Sequence, residues 1–225
     1  EISACLVGSE MCIRDSAKRG DMSVQCWHKE TLPEDIFTGM QRISVEWLSR
    51  HKARSQMGFS MGQFPADWSP ELLTVVARGP CGEVQAFLTW TPLYAGNGWA
   101  LDNMRRNSET TPGAVEWLIA QSVEWAQAHG YTRMSLGLAP LAGLGKKQAV
   151  TASSTAPHYA SRSAALWERG AGFLHTRGIV LEQYRSLYAF KAKFQPVWEN
   201  RYLAINERQS LPRVLLALAS VHRSS

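Results

Sequence analysis

The sequence lacks the features that mark membrane-spanning and metal-dependent proteins. No window approaches the roughly 20 consecutive apolar residues that a helix needs to span a bilayer. Its 4 cysteines and 6 histidines show neither the close cysteine pairing of a metal or redox motif nor an HExxH-like histidine spacing. We therefore expect no metal and a reducing compartment.

Two further signatures are missing. The chain has no serine or cysteine nucleophile elbow of the G-x-S-x-G kind. The run GLGKK, from Gly143 to Lys147, misses the phosphate-loop pattern, because Pro140 stands at the place of the first glycine and Lys147 at the place of Ser or Thr. We interpret this run as a basic loop.

Residues 1 to 16, EISACLVGSEMCIRDS, resemble a translated sequencing adapter and lack the basic start, apolar run and cleavage site of a signal peptide. We exclude them from the fold, the alternative being a disordered N-terminus. Without them 23 basic and 16 acidic side chains remain, and the formal charge rises from +5 to +7. This surplus favours a polyanionic partner, RNA or an anionic lipid surface, although an ordinary basic protein has the same balance.

Hydrophobic periodicity predicts an α/β order of elements. Apolar residues at spacings of three and four predict a helix from Glu34 to His51. Leu72 to Arg78 and Val84 to Tyr94 flank the turn sequence GPCGE and predict an antiparallel hairpin. Trp99 to Arg106 predicts a third strand.

A central helix is the clearest predicted element. Thr111 is its expected N-cap, Pro112 its first residue and Gly130 its terminator. Tyr131 to Leu138 predicts a returning strand. The apolar segment Leu211 to Val221 predicts a buried closing helix, with a helix in a membrane interface as the alternative.

Four segments in collinear order carry a family resemblance. They are MQRISVEWLSRHKARSQMGFSMGQF from Met40, WALDNMRRN from Trp99, TPGAVEWLIAQSVEWAQAHGYTRMSLG from Thr111 with its extension LGLAPLAGLG, and LYAFKAKFQPVWENRYLA from Leu187. Over residues 36 to 216 the chain resembles the cytoplasmic catalytic region of phosphatidylglycerol lysyltransferases. These bacterial enzymes move an amino acid from aminoacyl-tRNA onto a membrane lipid.

The resemblance implies the acyl-CoA N-acyltransferase (GNAT) fold, an α/β fold with a mainly antiparallel central sheet flanked by helices. The predicted order of hairpin, strand, helix and strand agrees with it. The family region has two such lobes in tandem, after a membrane-embedded portion. We predict one GNAT-like lobe over residues 17 to 225. It should fold alone but transfer slowly or not at all without the upstream lobe. The resemblance also implies a longer parent protein with a membrane domain, and a place for the lobe at the cytoplasmic face of the bacterial cell membrane.

GNAT proteins normally bind coenzyme A through a glycine-rich turn at the N-terminus of the central helix. The corresponding turn here, Arg106 to Ala114, lacks that pattern and carries Glu109 where an anion would sit. Coenzyme A is therefore disfavoured, and we expect no cofactor. The implied chemistry is attack of a glycerol hydroxyl on an aminoacyl ester, which needs alignment, a proton acceptor and positive charge but no covalent nucleophile.

Asp102 and Arg105 match the Asp-x-x-Arg that the family carries as functionally important residues. The resemblance implies that Asp102 accepts the hydroxyl proton or holds the amino acid's α-ammonium, and that Arg105 grips a phosphate. On a regular strand, residues three apart point to opposite faces. The pair can serve one site only if the strand ends or bulges between them, and a structural ion pair is the alternative.

Lys191, Lys193 and Arg201 lie in a basic run that is similar to one in the family. In a strand, Lys191 and Lys193 would share one face, opposite Phe190 and Phe194. In a helix the two lysines would diverge, and one would only be solvated. The resemblance assigns the three basic residues to contact with lipid phosphate or tRNA.

The function implied is transfer of an aminoacyl group, lysyl in the family's name, from aminoacyl-tRNA to the glycerol hydroxyl of phosphatidylglycerol, which makes the lipid more cationic. The alternatives are a coenzyme A-dependent small-molecule N-acetyltransferase and a non-catalytic basic module that binds RNA or membrane. A lysyl pocket would want acidic residues, and the sequence offers Glu116, Glu124, Glu168 and Glu182.

Overall fold

The computed structural model describes residues 22–50, 64, 66, 68–139 and 179–201, without the side chains of residues 179–185. The chain divides into two compact units, of which the first comprises residues 1–137 with 199–225 and the second residues 138–198. The GLGKK loop and the predicted helix from Leu211 to Val221 lie outside the described residues. The single lobe over residues 17 to 225 stays a prediction.

The first unit is built on a five-stranded sheet whose strands lie in sequence order. Strands β1 to β4 pair antiparallel with their neighbours, and β5 pairs parallel to β4. Helix α1 (Glu34–Arg50) precedes β2, and helix α2 (Ala114–Ala128) connects β4 to β5. The predicted α/β class with a mainly antiparallel sheet is confirmed. The strands are β1 (Ser23–Trp27), β2 (Leu73–Arg78), β3 (Val84–Leu93), β4 (Gly98–Arg106) and β5 (Arg133–Ser135).

The two helices cover opposite faces of the sheet. Phe87 and Trp90 are three residues apart on β3, so their side chains point to opposite faces. Phe87 is fully buried in a cluster that includes Ile36 and Met40 of α1. Trp90 is fully buried as well, and its Nε1 donates a hydrogen bond to Ser122 Oγ of α2 at 3.1 Å. The face of Phe87 is called the α1 face below.

The central helix begins differently from the prediction. Its N-cap is Gly113, with φ of +90° and no side-chain cap, so the expected Thr111 cap is wrong. Thr111 instead contributes its carbonyl oxygen, which accepts a hydrogen bond from the Ala114 N–H at 3.1 Å and closes a turn. Gly130, with φ of +75°, follows the helix as expected, because glycine adopts left-handed backbone without steric cost.

The second unit contains helix α3 (Ile179–Ala192). Its C-terminal part packs through aromatic rings, with Tyr188 stacked on Trp198 at 4.8 Å between centroids and Phe190 edge-on to Phe194 at 5.5 Å. Among the helices of the described ranges, none combines the length and the apolar character needed to cross a membrane.

Gly98 supports a specific prediction about the contact between β4 and β5. A Cβ at this position would overlap the backbone oxygen of Arg133, which cannot rotate away as a side chain can. Gly98→Ala is therefore expected to lower the free energy of unfolding by about 1–3 kcal/mol, the usual cost of overpacking. Chemical denaturation of the chain measures this loss.

Gly96→Ala is the matched control. Its Cβ would lie 3.6 Å from Leu93 Cβ and 3.7 Å from Arg133 Cδ, which are ordinary contacts. Equal losses of stability in the two variants would contradict the close approach inferred at Gly98.

Candidate active site

Strand β4 carries a β-bulge at Asp102. Trp90 of β3 lies opposite Leu101, whereas the preceding residue, Thr89, lies opposite Asn103. Asp102 is the extra residue between these two pairs, and such an extra residue interrupts the regular alternation of side chains along a strand.

The bulge brings Asp102 and Arg105 to the same face of the sheet. Arg105 lies opposite Phe87 and therefore points to the α1 face. Without the bulge, Asp102 would point to the opposite face from Arg105. Asp102 instead hydrogen-bonds with Asn103, two residues before Arg105 on its own face. The condition that the sequence sets for this pair is met.

A hydrogen-bond network joins the two charged residues through an amide. Arg105 Nη2 donates to Asn103 Oδ1 at 3.3 Å. Asn103 Nδ2 donates to Asp102 Oδ2 at 2.7 Å and to Thr89 Oγ1 at 3.1 Å. Thr89 Oγ1 donates in turn to Asp102 Oδ2 at 3.2 Å. The Asn103 amide is thereby fixed in orientation, with its oxygen toward the guanidinium and its nitrogen toward the carboxylate.

Arg105 is held in a buried position with hydrogen-bonding capacity to spare. Only 4% of the residue is exposed, and its Cζ lies 5.3 Å from the centroid of the Trp47 ring on α1. Burial lowers the pKa of Arg105, and the charge of Asp102 acts in the opposite direction. The guanidinium nevertheless stays protonated in a protein. Within the described part of the chain, Nη1 of Arg105 is buried and has no hydrogen-bond partner.

The C-terminal end of α1 is tied to the segment that follows β4. Glu46 Oε1 accepts hydrogen bonds from the backbone N–H of Ser108 at 3.1 Å and from its hydroxyl at 2.8 Å. These bonds lower the pKa of Glu46. They also hold the helical turn that carries Trp47 against the end of the strand that carries Arg105.

Lys191 and Lys193 do not lie in a strand, so of the two alternatives left open by the sequence the structure shows the helical one. Lys191 is in the last turn of α3, whereas Lys193 follows the helix in a turn. Lys191 is buried, its Nζ donates to the Leu138 carbonyl oxygen at 2.7 Å, and burial lowers its pKa. Lys193 is exposed, with Nζ 5.6 Å from the centroid of the Phe190 ring. The two lysines diverge, as the helical alternative requires.

Arg201, the third predicted basic residue, belongs to the first unit and is exposed. Its Nη2 lies 2.6 Å from Glu199 Oε2, and Glu199 Oε1 lies 2.8 Å from Arg133 Nη2. Exposed ion pairs of this kind contribute little to stability, because water and salt screen the two charges. Arg201 could therefore exchange this carboxylate for another anion at little cost.

The described ranges offer no metal-ligand cluster and contain two free thiols. These ranges contain no cluster of three or more His, Cys, Asp or Glu residues suited to a metal ion. Cys26 and Cys81 are free thiols, and burial raises the pKa of Cys26 to about 11, so that it stays protonated.

Sequence reasoning missed Thr89, Asn103 and Trp47. Asn103 lies inside the Asp-x-x-Arg motif and could have been noticed there. Thr89 and Trp47 are 13 and 55 positions from Asp102, and only the strand register and the packing of α1 bring them to the site.

The fold and this site together define an acyltransferase-like α/β protein in which a carboxylate and a guanidinium are held on one face of the sheet. The profile of the family described as phosphatidylglycerol lysyltransferase, C-terminal, matches residues 13–205. The chain belongs to this family, and the resemblance carried by the four sequence segments is confirmed.

Named relatives agree with the family. The chain is 29% identical over 192 residues to a phosphatidylglycerol lysyltransferase of Staphylococcus epidermidis, covering 84% of the chain and 21% of the relative. It is 29% identical over 173 residues to one of Bacillus subtilis, covering 76% and 18%. A third, of Staphylococcus aureus, is 30% identical over 179 residues, covering 79% and 19%. The chain spans about a fifth of the length of these relatives.

Two solved structures share the fold. A structure of L-PGS from Bacillus licheniformis superposes with a TM-score of 0.67 at 24% identity, covering 99% of this chain and 62% of that one. The C-terminal domain of a lysylphosphatidylglycerol synthetase candidate from Agrobacterium fabrum gives a TM-score of 0.64 at 25% identity, covering 95% and 59%.

Proposed function

We propose that the chain is a catalytic part of a transferase that moves a lysyl group from lysyl-tRNA to the glycerol hydroxyl of phosphatidylglycerol. The observation that carries this proposal is the single network in which the bulge joins Asp102 to the buried Arg105. Family membership supplies the reaction class, and the network supplies the two charges that the reaction needs.

In the proposed reaction the lipid hydroxyl attacks the carbonyl carbon of the lysyl ester. Asp102 accepts the hydroxyl proton as the new C–O bond forms, and the carbonyl electron pair moves onto oxygen. Nη1 of Arg105 donates a hydrogen bond to this developing oxyanion, where a preorganised donor in a buried site has its largest effect. Collapse of the intermediate breaks the bond to the tRNA ribose, whose oxygen takes the proton from Asp102.

The basic residues outside this network are proposed to contact phosphate. Lys193 and Arg201 are exposed cations. The ammonium group of Lys191 has three N–H donors, one of which donates to the Leu138 carbonyl oxygen. Their target is tRNA or lipid phosphate at the cytoplasmic face of the bacterial cell membrane. The upstream lobe and the membrane domain of a longer parent protein are the proposed partners of the chain.

A competition assay tests the reaction class. Purified chain is incubated with lysyl-tRNA, acetyl coenzyme A and vesicles that contain phosphatidylglycerol, and the consumption of each donor is followed. Lysyl-phosphatidylglycerol should accumulate while acetyl coenzyme A persists, slowly with the chain alone and faster when the upstream lobe is added. Loss of acetyl coenzyme A would favour the N-acetyltransferase alternative, and binding of RNA or vesicles without any transfer, even with the upstream lobe present, would favour the non-catalytic basic module.

Binding of tRNA should fall steeply with salt, because each phosphate contact releases counterions. About four contacts predict a slope near −3 in a plot of log affinity against log salt concentration. Filter binding of tRNA between about 50 and 200 mM salt measures this slope. Lys193→Gln should make the slope shallower by about one, and the control Lys193→Arg should leave it unchanged. A flat salt dependence would contradict the proposed phosphate contacts.

A further inference from the structure

Thr89 occupies the centre of the site without belonging to its charged pair. The residue is fully buried on β3, directly opposite Asn103. Its hydroxyl oxygen accepts hydrogen bonds from the backbone N–H of Asn103 at 3.1 Å and from Asn103 Nδ2 at 3.1 Å. The hydroxyl proton is donated to Asp102 Oδ2 at 3.2 Å. One donor and two acceptor positions are all that a hydroxyl has, so each of them is engaged with the bulge.

These three bonds act on the carboxylate in two ways. The bond to Oδ2 joins the one from Asn103 Nδ2, so a single carboxylate oxygen is held by two donors. The bond from the Asn103 N–H fixes the backbone next to the extra residue. Both the orientation of the Asp102 side chain and the bulge that directs it to the α1 face therefore depend on one hydroxyl group.

We infer that Thr89 is a positioning residue for Asp102, acting through its hydroxyl and not through contact with substrate. This inference rests on the proposed role of Asp102 as the proton acceptor. Valine matches threonine in shape but lacks the hydroxyl, and serine keeps the hydroxyl while losing a methyl group. The pair Thr89→Val and Thr89→Ser therefore separates hydrogen bonding from packing.

The first measurement is lysyl transfer in single turnover, with the chain in excess over lysyl-tRNA and with phosphatidylglycerol vesicles present, so that even a slow reaction is recorded. Thr89→Val should lower the rate about 10- to 100-fold, the effect of one lost hydrogen bond to a charged group. Thr89→Ser should stay within about threefold of the parent chain. In the Asp102→Asn background, Thr89→Val should cause no further loss, because the group that it positions is already neutral.

The second measurement needs no activity. Hydrogen exchange of the Asn103 amide, followed by NMR, should speed up by about tenfold or more in Thr89→Val and remain slow in Thr89→Ser. Thermal unfolding of each variant shows whether the fold is retained.

The outcomes separate the two ideas. Equal rates and equal Asn103 exchange in the Val and Ser variants would overturn the positioning role, as would an undiminished effect of Thr89→Val in the Asp102→Asn background. Full activity of Asp102→Asn alone would instead overturn the proposed role of Asp102 as the proton acceptor, and absence of lysyl transfer in the parent chain with the upstream lobe added would overturn the proposed function. The exchange result would then still decide whether Thr89 holds the bulge.

Discussion

Asp102→Asn is expected to slow lysyl transfer by about 10²- to 10⁴-fold, the range typical of lost acid–base assistance. Asparagine keeps the shape of the side chain, and its oxygen can still accept the hydrogen bonds from Thr89 and Asn103 that reach Asp102 Oδ2. What disappears is the negative charge that takes up the hydroxyl proton. Steady-state kinetics should therefore show a fall in turnover with little change in thermal stability.

Asp35→Asn is the matched control for this experiment. Asp35 lies in the first turn of α1, 61% exposed, with its Oδ2 3.2 Å from Arg78 Nη2. Its loss removes the same charge from the protein but only an exposed ion pair, so turnover should not change. If Asp102→Asn unfolds the protein or leaves turnover intact, Asp102 is a structural residue and its proposed role is wrong.

Arg105→Met is expected to lower turnover by about 10²- to 10³-fold, as does removal of one preorganised donor to an oxyanion. Methionine fills much of the buried volume beside Trp47 but carries no charge. Arg105→Lys should fall between methionine and the parent, because an ammonium keeps the charge and loses the planar arrangement of donors. Turnover and the Michaelis constant, measured beside thermal unfolding, distinguish this role from simple phosphate binding, which would mainly raise the Michaelis constant.

Arg106→Met serves as the control, because Arg106 is the next residue of β4 and is exposed. It removes one positive charge at almost the same place in the chain without touching the network. Similar losses of turnover in Arg105→Met and Arg106→Met would point to a general electrostatic effect and contradict a specific donor at Arg105.

Much of the first unit could be predicted from local pattern. The helix predicted from Glu34 to His51 is present from Glu34 to Arg50, and His51 lies outside the described residues; strands β2 to β4 begin and end within one residue of their predicted limits. These elements have strong periodicity or clear turn residues between them, and both signals lie within a few positions of sequence.

The parts that failed depend on distant pairing or on backbone geometry. Strand β1 was not predicted, since its five residues, SVQCW, are defined by pairing with β2 some 50 positions later. Strand β5 keeps three of its eight predicted residues, where it pairs with Gly98–Ala100 of β4. The basic run at Lys191 alternates as a strand would, yet it ends a helix whose aromatic residues pack within the second unit.

The site shows the same division. The sequence motif indicates Asp102 and Arg105, and it sets the condition under which they can act together. Whether the condition is met depends on one extra residue in the register between β3 and β4. The sequence around Asp102 does not predict this extra residue. Thr89 and Trp47 enter only through that register and through the packing of α1.

The bulge also divides β4 into two stretches. Even-numbered residues face one side of the sheet before Asp102 and the other side after it. Ala100 is opposite Thr91 and belongs to the α1 face. Met104 is opposite Leu88 and belongs to the other face, which α2 covers, although both residues are even-numbered. A substitution that is harmless at Ala100 would therefore face a different helix at Met104. When relatives are aligned, a gap or insertion at Asp102 consequently transfers every residue on one side of it to the other layer of the molecule. The face to which a β4 residue belongs therefore has to be assigned separately for the stretch before Asp102 and the stretch after it.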